Sequence, residues 1–172
     1  MMEWFAIRVS YGRVLKFSAR LQEIGVQHFV PMAKKKVVKD GKTLTMTAPA
    51  VSNLCFVRST RACIDDVFRG LGENNYASFF WNKATRNPIV VSDKAMEDFI
   101  HICSVMNDET LYLKDITDKL HEGQKVRVTD GPFKGVEGTI VRIRRSRRVV
   151  VELPGLLAVA TNYIDPRFLE AI

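Results

Sequence analysis

Arg13, Lys16 and Arg20 stand three and four residues apart, a spacing that places them on one face of a helix. That face is offset by one residue from an apolar stripe of Val14, Phe17, Leu21 and Ile24, so the cations stay in water while the stripe packs. Such a row suits a phosphate backbone, and it equally suits a solvated helix edge. A second group, Lys34, Lys35, Lys36, Lys39 and Lys42, surrounds Asp40-Gly41. Lysines in that setting either guard an exposed edge strand against aggregation or touch a polyanion. The third group is Arg142, Arg144, Arg145, Arg147 and Arg148, five arginines among seven residues around Ser146. Solubility alone needs fewer, and the guanidinium fork matches phosphate in a bidentate way.

Catalytic chemistry finds no comparable constellation. His28, His101 and His121 are scattered, with no cysteine or carboxylate at a metal-ligand spacing. The three cysteines, Cys55, Cys63 and Cys103, are odd in number, show no CxxC spacing and lie in apolar contexts that suit free buried thiols. Asp65-Asp66 falls near a helix start, where carboxylates are commonly favoured by the dipole. Gly70-Leu71-Gly72 lacks the rest of a phosphate-binding loop. The sequence therefore predicts no enzyme, no metal and no cofactor.

The elements that would position these cations follow from period and punctuation. Residues 4–9 form a mostly apolar run suited to a central strand, and Ser10 and Gly25 are placed to open and close the first helix. Strands are expected over residues 27–32 and 54–57, with a hairpin between them whose Asp40-Gly41 turn joins residues 34–38 to 43–47. A second helix begins near Thr60, with Ile64, Val67, Phe68 and Leu71 on its apolar face. Short strands follow over 79–81 and 88–91, and a third helix starts at Ser92 or Asp93 with Met96, Phe99, Ile100 and Cys103 inward. The order predicts an α+β domain of helices on a mainly antiparallel sheet.

From Gly123 the pattern changes. Val126 and Val128 alternate with Lys125, Arg127 and Thr129, a half-buried strand with a basic outer face. Asp130-Gly131-Pro132 turns the chain, Phe133 can plug a small barrel, and Gly135 and Gly138 permit a tight bend into the next strand. The sequence thus divides into residues 1–106 with charge +6, an acidic linker 107–121 with −2, and residues 122–172 with +3, within a total of +7 over 172 residues. The positive balance favours a polyanionic partner. Met1-Met2-Glu3-Trp4 lacks a basic start and no apolar run is long enough for a bilayer, so a cytoplasmic protein without membrane contact is expected.

Gly123, Val126, Val128, Gly131, Pro132, Phe133, Gly135, Gly138 and Val141 resemble the KOW motif of NusG-type transcription factors and certain ribosomal proteins. Trp4, Ala6, Ile7 and Arg8, the helix after them, Pro31 and the 54–57 strand resemble the NusG N-terminal domain. The likeness spans nearly the whole chain and implies that α+β domain followed by a small SH3-like all-β barrel. Residues 49–57 replace the usual Phe-Pro-Gly-Tyr segment, while residues 84–91 and 157–161 resemble the UpxY-type antiterminators of capsular polysaccharide operons.

What the resemblance implies is a factor that binds bacterial RNA polymerase and suppresses pausing and termination. Tyr11, Val51, Leu54 and Phe56 would meet the clamp helices of the largest subunit. Arg13, Lys16 and Arg20 would face non-template DNA, and the lysine hairpin, with Lys35 and Lys36, upstream DNA or a polymerase loop. Arg144, Arg145 and Arg147 would touch nascent RNA or the ribosome. An apolar strip of Leu156, Leu157, Val159 and Ala160 would hold a small-subunit ribosomal protein or Rho, unless those residues are core. The alternative is a KOW-containing ribosomal or RNA-binding protein with no affinity for polymerase.

Overall fold

The computed structural model describes residues 1–113 and 123–172. It divides into two compact units, Met1–Asp93 and Lys94–Ile172.

In the first unit β1 (Glu3–Val9) is the central strand of an antiparallel sheet, and its alternation is lost because Trp4 to Ile7 are all buried. It pairs with β5 (Leu54–Ser59) on one side, and with β6 (Ala77–Phe79) and β9 (Val90–Val91) on the other. The edge strand β2 (Gln27–Phe29) pairs with β5. Two helices, α1 (Val14–Glu23) and α2 (Arg61–Gly70), supply Val14, Phe17, Leu21, Ile64 and Val67 to a core with Phe5, Ile7, Val9, Cys55 and Val57.

Capping follows the sequence in part. Thr60 caps α2, its hydroxyl accepting the Cys63 N–H at 3.1 Å. Gly25, at φ 72°, ends α1 in a Schellman arrangement in which Val26 N–H reaches Leu21 O and Gly25 N–H reaches Gln22 O. Ser10 is not the cap of α1. Gly12 at φ 77° turns the chain first, the Ser10 carbonyl takes the Arg13 N–H at 3.1 Å, and Arg13 becomes the N-cap without a side-chain bond. Ile24, expected in the apolar stripe, is 42 % exposed at the C-cap.

The lysine hairpin forms as expected, with β3 (Met32–Lys39) paired to β4 (Lys42–Pro49) through a two-residue turn. Asp40 at φ 53° and Gly41 at φ 72° supply the two left-handed residues that such a turn demands. Further on, β7 (Trp81–Asn82) and β8 (Asn87–Pro88) make a small second hairpin before β9.

The second unit begins with α3 (Asp93–Met106) from Lys94 onward. The domain boundary expected at residue 106 would leave this helix with the first part of the chain; by compactness it groups with the second. Its polar side chains explain the grouping. Lys94 Nζ donates to Gly135 O at 2.7 Å, the Asp98 carboxylate accepts the Glu137 N–H at 3.1 Å, and His101 Nε2 lies 2.8 Å from Pro132 O. Part of the expected linker is also ordered, since a 3-10 turn, Asn107–Glu109, leads into β10 (Leu111–Leu113). The rest of the linker, residues 114–121, lies outside the described residues.

A six-stranded antiparallel sheet completes this unit in the order β10-β14-β13-β12-β11-β15. Its members are β11 (Lys125–Val128), β12 (Glu137–Ile143), β13 (Ser146–Leu153), β14 (Leu157–Ala160) and β15 (Leu169–Ala171). Lys125 and Arg127 are exposed while Val126 and Val128 are buried, the expected alternation. Val149 to Val151 and all of β14 are buried on both faces, and one of those faces gathers Val141, Val150, Ala158 and Ala160 against Leu111, Leu113 and Ile143. The chain thus has an α+β N-terminal domain and, after α3, an all-β C-terminal domain.

Candidate nucleic-acid and polymerase interfaces

On α1 the apolar residues Val14, Phe17 and Leu21 are buried, and Arg13, Lys16 and Arg20 are exposed. What organises them is a residue that cation spacing does not reveal. Tyr76, just before β6, sets its ring edge against Phe17 at 6.3 Å, and Arg13 Cζ and Lys16 Nζ lie 5.4 and 5.3 Å from its centroid. These cation–π contacts fix two flexible side chains side by side while leaving them open to solvent. Arg20 stands apart, bonded to Glu23 at 3.2 Å in an exposed pair that contributes little stability.

Tyr76 also lines an open cleft of about 470 Å³, together with Arg8, Tyr11, Asn53, Asn75 and Ser78. Tyr11 is 85 % exposed at its rim. One edge of the first unit therefore holds Tyr11, expected at polymerase, and the Arg13–Lys16 pair, expected at DNA.

The other expected polymerase residues behave differently. Val51 is half-buried, but Leu54 and Phe56 are 2 % and 0 % exposed. The contact that the resemblance implies would need one face of this strand to be open. Instead Leu54 to Val57 are buried without a break, so both faces of β5 are covered. Leu54 and Phe56 are core residues in this structure, and present no surface to a partner.

Lys35 and Lys36 point to opposite faces of the β3–β4 hairpin, opposite Met46 and Thr45 respectively. Both are exposed, as are Val37, Val38, Leu44 and Met46.

In the second unit the arginines sort into two kinds. Arg127 donates to Glu137 at 2.8 Å with Glu170 at 3.8 Å, and its hydrogen bond to Glu137 holds its pKa above the ordinary value. Arg167 grips Asp165 at 2.8 Å, and that bond depresses the Asp165 carboxyl. The arginines of the β12–β13 hairpin have no such partners: among the described residues Arg142, Arg144, Arg145 and Arg147 make no ion pair. Arg142 stands directly across from Arg147. Arg144 and Arg145 form the two-residue turn at φ 49° and 66°. Left-handed backbone costs a side-chain-bearing residue about 1–3 kcal/mol where nothing compensates. Arg148 is anchored instead, with Nη1 3.2 Å from Thr161 O and Nε buried without a hydrogen-bond partner among the described residues.

The apolar strip considered for a KOW partner is largely interior. Leu157, Val159 and Ala160 are 4 %, 0 % and 0 % exposed, and Leu156 is half-buried.

The thiols and imidazoles serve packing. Burial pushes Cys55 up to about 12 and Cys103 up to about 11, the latter in spite of the Tyr112 hydroxyl 3.6 Å away. His28 joins Ser18 at 2.8 Å to Val26 O at 2.9 Å. His121 lies outside the described residues. Among the described residues no three of His, Cys, Asp and Glu gather as a metal site, and no helix is long and apolar enough to cross a membrane.

Comparison with known proteins gives two family matches. The model described as transcription termination factor nusG matches residues 2–100, and the KOW motif matches residues 122–152. Among solved structures, Thermotoga maritima NusG (reported for its domain interaction) is 15 % identical, with coverage of 100 % of this chain and 98 % of that one and a TM-score of 0.47. The MjSpt4:Spt5 complex in its conformation A is 10 % identical, covering 98 % and 97 %, with a TM-score of 0.27. No curated protein matches the sequence. With its first domain matched almost end to end and a KOW motif behind it, the chain belongs to the NusG family of non-enzymatic, polymerase-binding transcription factors and is a NusG-like elongation and antitermination factor.

Proposed function

We propose that this chain attaches to RNA polymerase through its N-terminal domain and suppresses pausing and termination on one class of long operons, in the manner of the UpxY-type antiterminators of capsular polysaccharide genes. The observation that carries the reading is the edge at Tyr76, where Arg13 and Lys16 are held ready beside the exposed Tyr11. In this reading Tyr11 and Val51 meet the clamp helices of the largest subunit, with Leu54 and Phe56 supporting them from the core. Arg13, Lys16 and Arg20 hold non-template DNA, and the lysine hairpin lies along upstream DNA. Residues 1–106 act as the polymerase-binding domain and residues 107–121 as the linker. The KOW domain, residues 122–172, recruits a small-subunit ribosomal protein or Rho at the raised effective concentration that tethering provides. The setting is cytoplasmic.

The test is retention of the purified full-length chain on immobilised core polymerase, followed by transcription through a terminator with and without it. Retention with increased read-through on capsular polysaccharide leaders, and none on unrelated templates, is the expected result. Increased read-through on every template would remove the operon specificity. Failure to bind polymerase, with salt-sensitive RNA binding retained, would instead favour a KOW-type RNA-binding protein.

A further inference from the structure

We infer that the β7–β8 hairpin and the start of α2 form a docking surface for a partner protein, which binds through an acidic segment carrying an apolar anchor. The proposed attachment to polymerase uses none of these residues. Three observations within the first unit meet at Trp81. First, the indole is 49 % exposed and Val90 is 44 % exposed, and a row of ring contacts joins them. Val90 is in register with Phe5, the Phe5 and Phe79 rings lie 5.5 Å apart, and Phe79 meets Trp81 edge-on at 6.2 Å. Second, the indole is held in place. Arg61 Cζ lies 5.6 Å from its centroid and 5.8 Å from that of Phe79, and Trp81 is in register with Pro88. Third, among the described residues Arg61, Lys83 and Arg86 make no ion pair, although Arg58 and Arg69 of the same unit are paired with Asp93 and Asp66. The turn that carries Lys83 and Arg86 is fixed from below. Asn82 Oδ1 accepts the Ala84 and Thr85 N–H groups at 2.9 and 3.2 Å, and Asn82 O accepts the Arg86 N–H at 2.8 Å. Arg86 holds φ 56° there, a conformation that glycine or asparagine adopts at less cost.

The residue types select the partner. Tryptophan and arginine are the side chains that anchor protein interfaces, and an anchor already fixed by packing loses little freedom on binding. Three cations without counter-charges around that anchor call for carboxylates, which set orientation and speed encounter. An unpaired nucleic acid would also stack on an indole and meet cations. Val90 decides between the two. It offers a nucleotide no charge, hydrogen bond or stacking plane, but it extends the apolar floor on which an aliphatic or aromatic residue of a peptide rests. The surface is also separate from the Tyr76 edge. Val90 pairs with Phe5 and Ala77 with Val9, four residues further along β1, or about 13 Å at the ordinary strand rise. A short acidic segment at Trp81 therefore need not cover Tyr11, Arg13 or Lys16.

The probe is a phage-displayed library of random peptides about twelve residues long, selected in parallel on the immobilised full-length chain and on its Trp81→Ala variant. Peptides kept by the first and lost by the second should carry Asp or Glu on both sides of an aliphatic or aromatic residue. Of the two tryptophans Trp4 is only 4 % exposed, so acrylamide quenching reports on Trp81, and a bound peptide should lower it. The second variant, Lys83→Gln with Arg86→Asn, keeps the indole and gives position 86 a residue suited to its backbone. Its melting temperature should hold or rise while peptide affinity falls about tenfold. Its retention on core polymerase should be unchanged, so this surface and the proposed attachment stand or fall separately. Weakened retention would place the surface in the polymerase contact and overturn the separate partner. Selection of the same peptides by both immobilised chains, selection of neutral or basic peptides, or wild-type peptide affinity in the double variant would overturn the proposal. A single-stranded oligo(dT) that shields Trp81 at lower concentration than the selected peptide would overturn the assignment to protein.

Discussion

Gly138 and Val150 lie so close that a Cβ on the glycine would collide with the Val150 carbonyl oxygen and come within 2.9 Å of Val149 Cγ1. The glycine is there for the approach of two strands, not for its backbone angle, since only φ values in the left-handed region favour glycine on that ground. Gly135 is the opposite case, at φ 93° with nothing within 4 Å of its Cβ position. Gly138→Ala must displace a strand backbone in the middle of the sheet, and is expected to cost about 1–3 kcal/mol, as overpacking does. Chemical denaturation of the full chain measures it. A denaturation midpoint equal to wild type would show that β12 and β13 can separate freely there.

Asp98 supplies a second check on the C-terminal unit. Its carboxylate is buried, takes Lys94 Nζ at 2.8 Å and accepts the Glu137 N–H at 3.1 Å. Asp98→Ala leaves that N–H without its acceptor, a loss of about 1–3 kcal/mol. Hydrogen exchange at the Glu137 amide should accelerate more than exchange in β13. Unchanged protection of Glu137 would mean that the bond is not maintained in solution.

Cys55 carries a pH dependence whose sign can be worked out. Its thiol is pushed up to about 12 from an ordinary 9.0, because burial opposes the thiolate. Between those values the unfolded chain releases the proton and the folded chain keeps it, so stability falls as pH rises. The contribution is whole below about pH 9 and is lost as pH climbs towards 12. Cys55→Ala should therefore unfold with a shallower alkaline dependence than wild type between pH 9 and 10.5. Thiol reagents at pH 8 should modify half-buried Cys63 well before Cys55. Equal reactivity of the two would contradict the burial.

Leu54 and Tyr11 separate core from contact surface. Leu54 is 2 % exposed, so Leu54→Asp places an unpaired charge in the core and should cost upwards of about 3 kcal/mol. Tyr11, at 85 % exposure, can be replaced by Ala with little change in stability. If Tyr11→Ala melts like wild type and binds core polymerase at least tenfold more weakly, the proposed contact stands. If it binds as wild type, the contact lies elsewhere.

These contrasts show how far residue patterns reach. The Asp40-Gly41 turn, the start of α2 near Thr60 and the Val126–Val128 alternation were legible because each depends on a few neighbouring residues. Leu54 and Phe56 were not, because whether a strand has one covered face or two is decided by elements distant in sequence. Tyr76 escaped for the same reason, since it lies more than fifty residues beyond the cations it aligns. The grouping of α3 with the second unit rests on Lys94, Asp98 and His101, each unremarkable in a list of helix residues until their partners at Gly135, Glu137 and Pro132 are known.

Tyr76 is also the place to test the proposed DNA face. Replacing Arg13, Lys16 and Arg20 together by Gln removes three charges without touching Val14, Phe17 or Leu21, and Gln is a good helix former, so α1 should survive. Polymerase affinity should change little, because the proposed clamp contact is centred on Tyr11 and Val51. Cross-linking to non-template DNA in a paused complex should fall, and antitermination with it. Tyr76→Leu makes the finer distinction: it keeps all three cations and releases Arg13 and Lys16 from the ring. If alignment by the ring matters, this variant should lose part of the cross-linking, by about 0.5–1 kcal/mol for each exposed cation–π contact, while its salt dependence stays as in wild type. Cross-linking at wild-type levels in the triple variant would reduce these residues to a solvated edge, and the DNA role would then pass to the β3–β4 lysines.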